Sequence, residues 1–226
     1  MTGGVYSLEC EGEQLLALPE KALYWPAQKT LFVADLHLGK GAAFRAAAYP
    51  VPEGSTASTL AKLSCLIESL DVSRVVLLGD LWHSKWGRDA GMRDRFASWL
   101  LKHRGVEMLL AVGNHDARSG DLEAEGLVVS SDPIVLGPFL CAHHPQELVG
   151  GYVLSGHIHP SVALEGKARQ SVRLPCFWFC DRYAVLPAFG ELTGTATVAP
   201  CKTDSVLVIA DGRVISVGKA GRPKAN

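Results

Sequence analysis

Residues 30–37, TLFVADLH, run from an apolar strand straight into an acid and a histidine one residue apart. The same device recurs at 74–80, RVVLLGD, and at 106–116, VEMLLAVGNHD. Each is a short β-branched and leucine-rich run, the mark of a strand buried on both faces. Each ends in polar residues, so the sheet would present Asp35, His37, Asp80, Asn114, His115 and Asp116 along one rim of a rigid scaffold. In an extended chain, residues two apart point the same way. Asp35 and His37 are therefore expected to grip one ion together. His157 and His159, in SGHIHP, are expected to converge likewise.

Outward from these strands the text alternates. Several short strand-like runs fill residues 5–34. An Ala-rich stretch over Lys40–Ala48 reads as helical, and Pro52-Glu53 could start a helix striped by Leu60, Leu63, Ile67 and Leu70. A further helix is expected over Arg93–His103, with Phe96, Trp99 and Leu100 inward. Beyond residue 127 short strands separated by Gly and Pro dominate. Strands alternating with helices, followed by mostly strands, predict an α/β fold of two packed sheets flanked by helices. One domain over 1–219 is expected, with 220–226 as a flexible basic tail.

The chain has 226 residues, 22 Lys plus Arg against 23 Asp plus Glu, and a formal net charge of −1, which argues against a protein that coats nucleic acid through global charge. A local basic groove remains compatible with that balance. No stretch approaches the roughly 20 apolar residues of a membrane-spanning helix, and the first residues do not read as a secretory signal. A cytoplasmic location away from membranes is the expectation. The six cysteines are scattered and read as small buried hydrophobes; Cys176 and Cys180 are the one close pair, without a matching second pair to make a metal knuckle.

Two carboxylates, an amide and several imidazoles suit borderline divalent ions such as manganese, iron, zinc or nickel better than calcium. A carboxylate shared by two ions about 3.5–4 Å apart recurs in binuclear hydrolases. Asp80 is the natural bridge, because the glycine before it permits close backbone approach. Any one block is weak, since a lone histidine is more often a hydrogen-bonded structural residue. The ordered set D-x-H, G-D, G-N-H-D, H, G-H-x-H is specific.

That ordered set resembles the calcineurin-like metallophosphoesterase superfamily. The resemblance implies a four-layer αββα sandwich with two divalent metals at the strand ends. It implies that Asp35, His37, Asp80 and His159 hold the first metal, and Asp80, Asn114, His143 and His157 the second. His115, oriented by Asp116, would contact the phosphate and protonate the leaving oxygen. In the block CAHHP, His143 is favoured over His144, which leads into Pro145 and would face the other way. Hydroxide formed from water between the metals would attack phosphorus in line, without a covalent enzyme intermediate.

ALYWP, RLPCFWF and LPAFGELTG, with the blocks around them from about residue 8 to 195, resemble a narrower branch, the ligase-associated DNA damage response metallophosphoesterases. That resemblance implies a manganese-dependent endonuclease acting on single-stranded DNA in bacterial repair, beside a repair helicase or DNA ligase. Lys40, Arg45, Trp82, His83, Lys85, Trp86 and Arg88 follow the first two blocks. They could stack bases and hold phosphates. Alternatively, the tryptophans pack under a loop while the cations are solvated. A small-molecule phosphodiesterase or nucleotide pyrophosphatase with the same metals is a rival reading. A catalytically silent scaffold is another, opposed by the intact His115, Asp116 and GHxH histidines.

Overall fold

The computed structural model describes residues 4–165 and 171–217, so the expected tail lies outside the described residues. Strands β1 (Tyr6–Cys10), β2 (Glu13–Leu18), β3 (Ala22–Trp25) and β4 (Thr30–Val33) form an antiparallel meander. Helices α1 (Lys40–Ala46) and α2 (Ser55–Ser69) lead to β5 (Arg74–Leu77), and α3 (Ala90–Lys102) leads to β6 (Glu107–Ala111) and then β7 (Leu127–Ser130). β4 to β7 run parallel, completing a seven-stranded sheet in sequence order.

The chain then builds a nine-stranded second sheet from β8 (Ile134–Leu136), β9 (Phe139–Cys141), β10 (Tyr152–Ser155), β11 (Pro160–Glu165), β12 (Ser171–Phe179), β13 (Tyr183–Val185), β14 (Ala196–Thr197), β15 (Ser205–Ala210) and β16 (Arg213–Val217). Its centre is parallel, with β10 between β9 and β13.

Period-two alternation in the first sheet explains the layering. Leu31, Val33, Val75 and Leu77 face Leu60, Leu63, Ile67, Phe96, Trp99 and Leu100 of α2 and α3. Phe32, Ala34, Val76 and Leu78 face the other way, against Phe139, Leu154, Phe177 and Leu207 of the second sheet. Both faces of these strands are thus buried, which is why they are apolar throughout.

The two-sheet α/β sandwich flanked by helices agrees with expectation. Helices α2 and α3 pack on the outer face of the first sheet. The later strands connect largely through hairpins such as β11–β12 and β15–β16, which need no crossover helix. α2 begins at Ser55 rather than Pro52-Glu53 because Gly54 turns the chain with φ 101°. α3 begins at Ala90, where the Asp89 carboxylate accepts the Met92 amide at 2.8 Å. Among the described residues no helix is long and apolar enough to cross a membrane.

Candidate metal centre

The ends of six parallel strands meet. β4, β5 and β6 of one sheet lead into Asp35-Leu36-His37, Gly79-Asp80 and Asn114-His115. β9, β10 and β13 of the other lead into His143, His157-Ile158-His159 and the segment 186–194. Backbone pairing outlasts the strands: the Asp35 amide donates to the Gly79 carbonyl, that of His37 to Asp80, and that of Gly156 to His143. The sheets are stitched at this rim by a parallel bridge between Ala34 and Ala188.

Five of the anticipated ligands adopt left-handed backbone conformations, with φ of 54° at Asp35, 46° at His37, 50° at Asp80, 71° at His157 and 52° at His159. Asp35 and His37 converge through these turns and not from an extended strand, whereas His157 and His159 part, His159 joining Asp35 and His37 while His157 joins His143. Such conformations cost on the order of 1–3 kcal/mol each and persist where surrounding structure over-determines them. Glycines make the room. A Cβ on Gly113 would overlap the carboxylate and amide of Asp80, and one on Gly79 would overlap the His143 ring.

Asp35 has no exposure to solvent, and Asp80, His37 and His143 are buried with it. Asp35 accepts the His157 amide at 2.9 and 3.2 Å, and Asp80 accepts that of His115 at 2.9 Å. His143 Nδ1 lies 3.0 Å from the Leu78 carbonyl, so it carries the proton and leaves Nε2 a bare lone pair. That lone pair faces Asp80 Oδ1 at 3.5 Å and Asn114 Oδ1 at 3.0 Å. His159 repeats the pattern: Nδ1 donates to the Gly194 carbonyl at 3.2 Å, and Nε2 faces Asp35 Oδ1 at 3.4 Å and His37 Nε2 at 3.4 Å. Two bare ring nitrogens against two carboxylates repel unless cations lie between them. The buried His37 Nδ1, which has no hydrogen-bond partner among the described residues, adds a further unmet donor or acceptor.

Burial, helped by Lys40 and three neighbouring imidazoles, pushes the His37 pKa down to about 2. Burial, then His157 and His144, takes His143 down to about 4 against the pull of Asp35. Both rings are thus neutral at physiological pH, the form that binds metal. Burial also raises the Asp80 carboxyl. Mixed nitrogen and oxygen donors closing on one point fit divalent transition ions. Asp35, His37 and His159 form one cluster, and Asp35, Asp80 and His143 another.

His143 and His144 differ in burial, although both fall with His157 in one possible ligand cluster. His143 points inward with 3 % exposure, whereas His144 is exposed at the rim with its ring 4.3 Å from that of His157. His115 stands at the mouth. Its side chain is 38 % exposed, with Nε2 4.0 Å from Asp80 Oδ2. Its orienting partner differs from expectation. His115 Nδ1 lies 2.6 Å from the His83 backbone carbonyl. Asp116 is fully buried and accepts the amides of Trp82 at 2.9 Å, Gly113 at 3.1 Å and Leu81 at 3.2 Å. It clasps two loops and does not hold the imidazole. Burial outweighs those amides and lifts its pKa to about 6.

The anticipated substrate residues divide. His83 stacks on His115, ring centroids 5.2 Å apart, and burial foremost lowers its pKa to about 4. Lys40 shares a small crevice with His37. Trp82 is 2 % exposed and packs edge-on against Phe96 at 5.4 Å, so it is not a base-stacking platform. Arg45 is directed away, towards the Val51 and Pro52 carbonyls and Glu53. Lys85 sits exposed in a short turn; the Trp86 side chain lies outside the described residues. The glycines of FGELTG mark turns near the site, as the sequence suggests: Gly190 donates to the Asp35 carbonyl and Gly194 accepts from His159.

The nuclease MPE of Pseudomonas putida has a similar structure, with TM-score 0.82 and 34 % identity over 94 % of this chain and 100 % of that one. Yfce, a phosphoesterase from E. coli, is far more distant, with TM-score 0.44 and 15 % identity over 84 % of this chain and 98 % of that one. No protein-family model and no curated protein matches the chain.

Proposed function

Because this chain belongs to the calcineurin-like metallophosphoesterases, and so hydrolyses phosphoesters with divalent metals, we propose that it is a manganese-dependent endonuclease cutting single-stranded DNA in bacterial repair. The observation that carries the reading is the full-length likeness to a nuclease together with a metal centre whose mouth is open. His115, His144 and His157 all reach solvent there, so a phosphodiester within a polymer can approach. A repair helicase or DNA ligase as partner belongs to the same proposal and rests on the family resemblance.

Divalent ions at this centre supply Lewis acidity and bring the pKa of water from about 15.7 towards 7. The chain's own groups do the rest. Asp35, His37, Asp80, Asn114, His143, His157 and His159 would hold the ions. His115 gives its Nδ1 proton to the His83 carbonyl, which turns Nε2 towards the mouth; in the imidazolium form Nε2 would carry the proton passed to the departing oxygen. Lys40 adds positive charge beside the scissile phosphate.

The test uses metal-stripped protein and circular single-stranded DNA, which has no ends. Manganese-dependent loss of the circle, absent in His115→Ala, is the expected result. An untouched circle alongside rapid hydrolysis of a small aryl phosphodiester would overturn the endonuclease reading in favour of a small-molecule diesterase.

A further inference from the structure

Segment 186–194 lies across the first metal block as a strap. The Phe189 amide donates to the Ala34 carbonyl at 2.8 Å, and that of Gly190 to the Asp35 carbonyl at 3.2 Å. At its far end the Gly194 carbonyl takes the His159 Nδ1 proton and thereby aims Nε2 at Asp35. The strap therefore touches two of the first-metal candidates, the backbone of Asp35 and the ring of His159. Its packing is tight, since a Cβ on Gly190 would overlap the Leu36 carbonyl.

One side chain from outside the site fixes this strap. Lys62, on α2, donates from Nζ to the Phe189 carbonyl at 2.8 Å and sits 3.8 Å from the centroid of the same residue's ring. Phe189 is fully buried, so the ring offers a desolvated face to the ammonium. A second tether joins Ser58 of α2 to Glu191.

We propose that Lys62 is a positioning residue for the first metal, acting through Phe189 and the strap on Asp35 and His159. This rests on the metallophosphoesterase reading of the centre. Partners that orient metal ligands from outside are typically worth 10–100-fold in metal affinity. Removing Lys62 leaves the Phe189 carbonyl without its donor and frees the strap to shift. His143 and Asn114, held by the other side of the rim, would be untouched.

The full chain, stripped of metal, is titrated with manganese for Lys62→Met, Lys62→Arg and, as a control, the exposed Lys102→Met. Wild type and Lys102→Met are expected to take two ions. Lys62→Met should hold one normally and the other about 10–100-fold more weakly, with Lys62→Arg recovering part of the loss. In the metal-free protein, the nitrogen-15 tautomer pattern of His159 should change while that of His143 stays. If Lys62→Met does not fold, Lys62→Gln is read the same way. Two ions at wild-type affinity with an unchanged His159 would overturn the positioning role. A wild type that binds no manganese would overturn the metal reading itself, and the role with it.

Discussion

His115 is oriented by the backbone of His83, through a 2.6 Å contact from Nδ1 to the carbonyl oxygen, although a buried carboxylate follows it directly in sequence. A carbonyl partner fixes the tautomer without adding negative charge beside the phosphate. His115→Ala should therefore bind metal normally and lose about 10²–10⁴-fold in turnover on esters with poor leaving groups. Activated aryl esters, which need no proton, should be spared. Equal losses on both ester types would remove the general-acid role.

Asp116 is expected to matter for stability more than for chemistry. One of its oxygens takes the Trp82 amide and the other takes those of Leu81 and Gly113. Asparagine offers one oxygen in place of two and sets an amide against an amide. Asp116→Asn should cost about 1–3 kcal/mol in denaturant unfolding. An unchanged midpoint would contradict the clasp.

The paired histidines give a sharp contrast. His143→Ala should lower metal content towards one ion per chain, whereas His144→Ala, removing an exposed ring, should leave two. Elemental analysis after dialysis decides it, and the reverse result would exchange their roles.

Gly113→Ala tests the packing against Asp80. The added methyl would press on the Asp80 carboxylate and amide. Manganese affinity should fall on the order of 10–100-fold. Affinity at the wild-type level, measured by titration, would show that the rim can give way.

A pH effect is expected far from the metals. Trp99 Nε1 donates to Ser64 Oγ at 2.9 Å, and Ser64 in turn bonds His103 Nε2 at 2.7 Å, joining α3 to α2. Burial, then Lys102, lowers the His103 pKa from 6.5, with Glu68 opposing. The unfolded chain thus binds this proton more readily than the folded one. The contribution is complete above pH 6.5 and is lost as pH falls through the lower folded value. His103→Gln, which cannot titrate, should flatten this part of the acid limb; an unaltered pH profile of unfolding would refute the link.

The strand-end blocks were legible because each packs its polar residues within a few positions of a wholly apolar run. What failed was inference from adjacency. Asp116 follows His115 in sequence, but the turn there sends it inward. Trp82 lies among cations in sequence and has Arg88 over its ring at 5.2 Å, yet it is buried against Phe96 of α3 and presents no open face to a base. The LPAFGELTG segment was legible as a family signature. Its place beside Asp35 depends on docking of the two sheets, which no local pattern records.

The meeting of strand ends from two sheets bears on how the chain folds. Asp35 and His157 are 122 residues apart in sequence, and their contact can form only after a long loop has closed. Ions caught between them would act as late cross-links, made once both sheets are in place. Stripping metal should then leave the refolding rate nearly unchanged and quicken unfolding, so that the metals govern the lifetime of the native state more than the speed of reaching it.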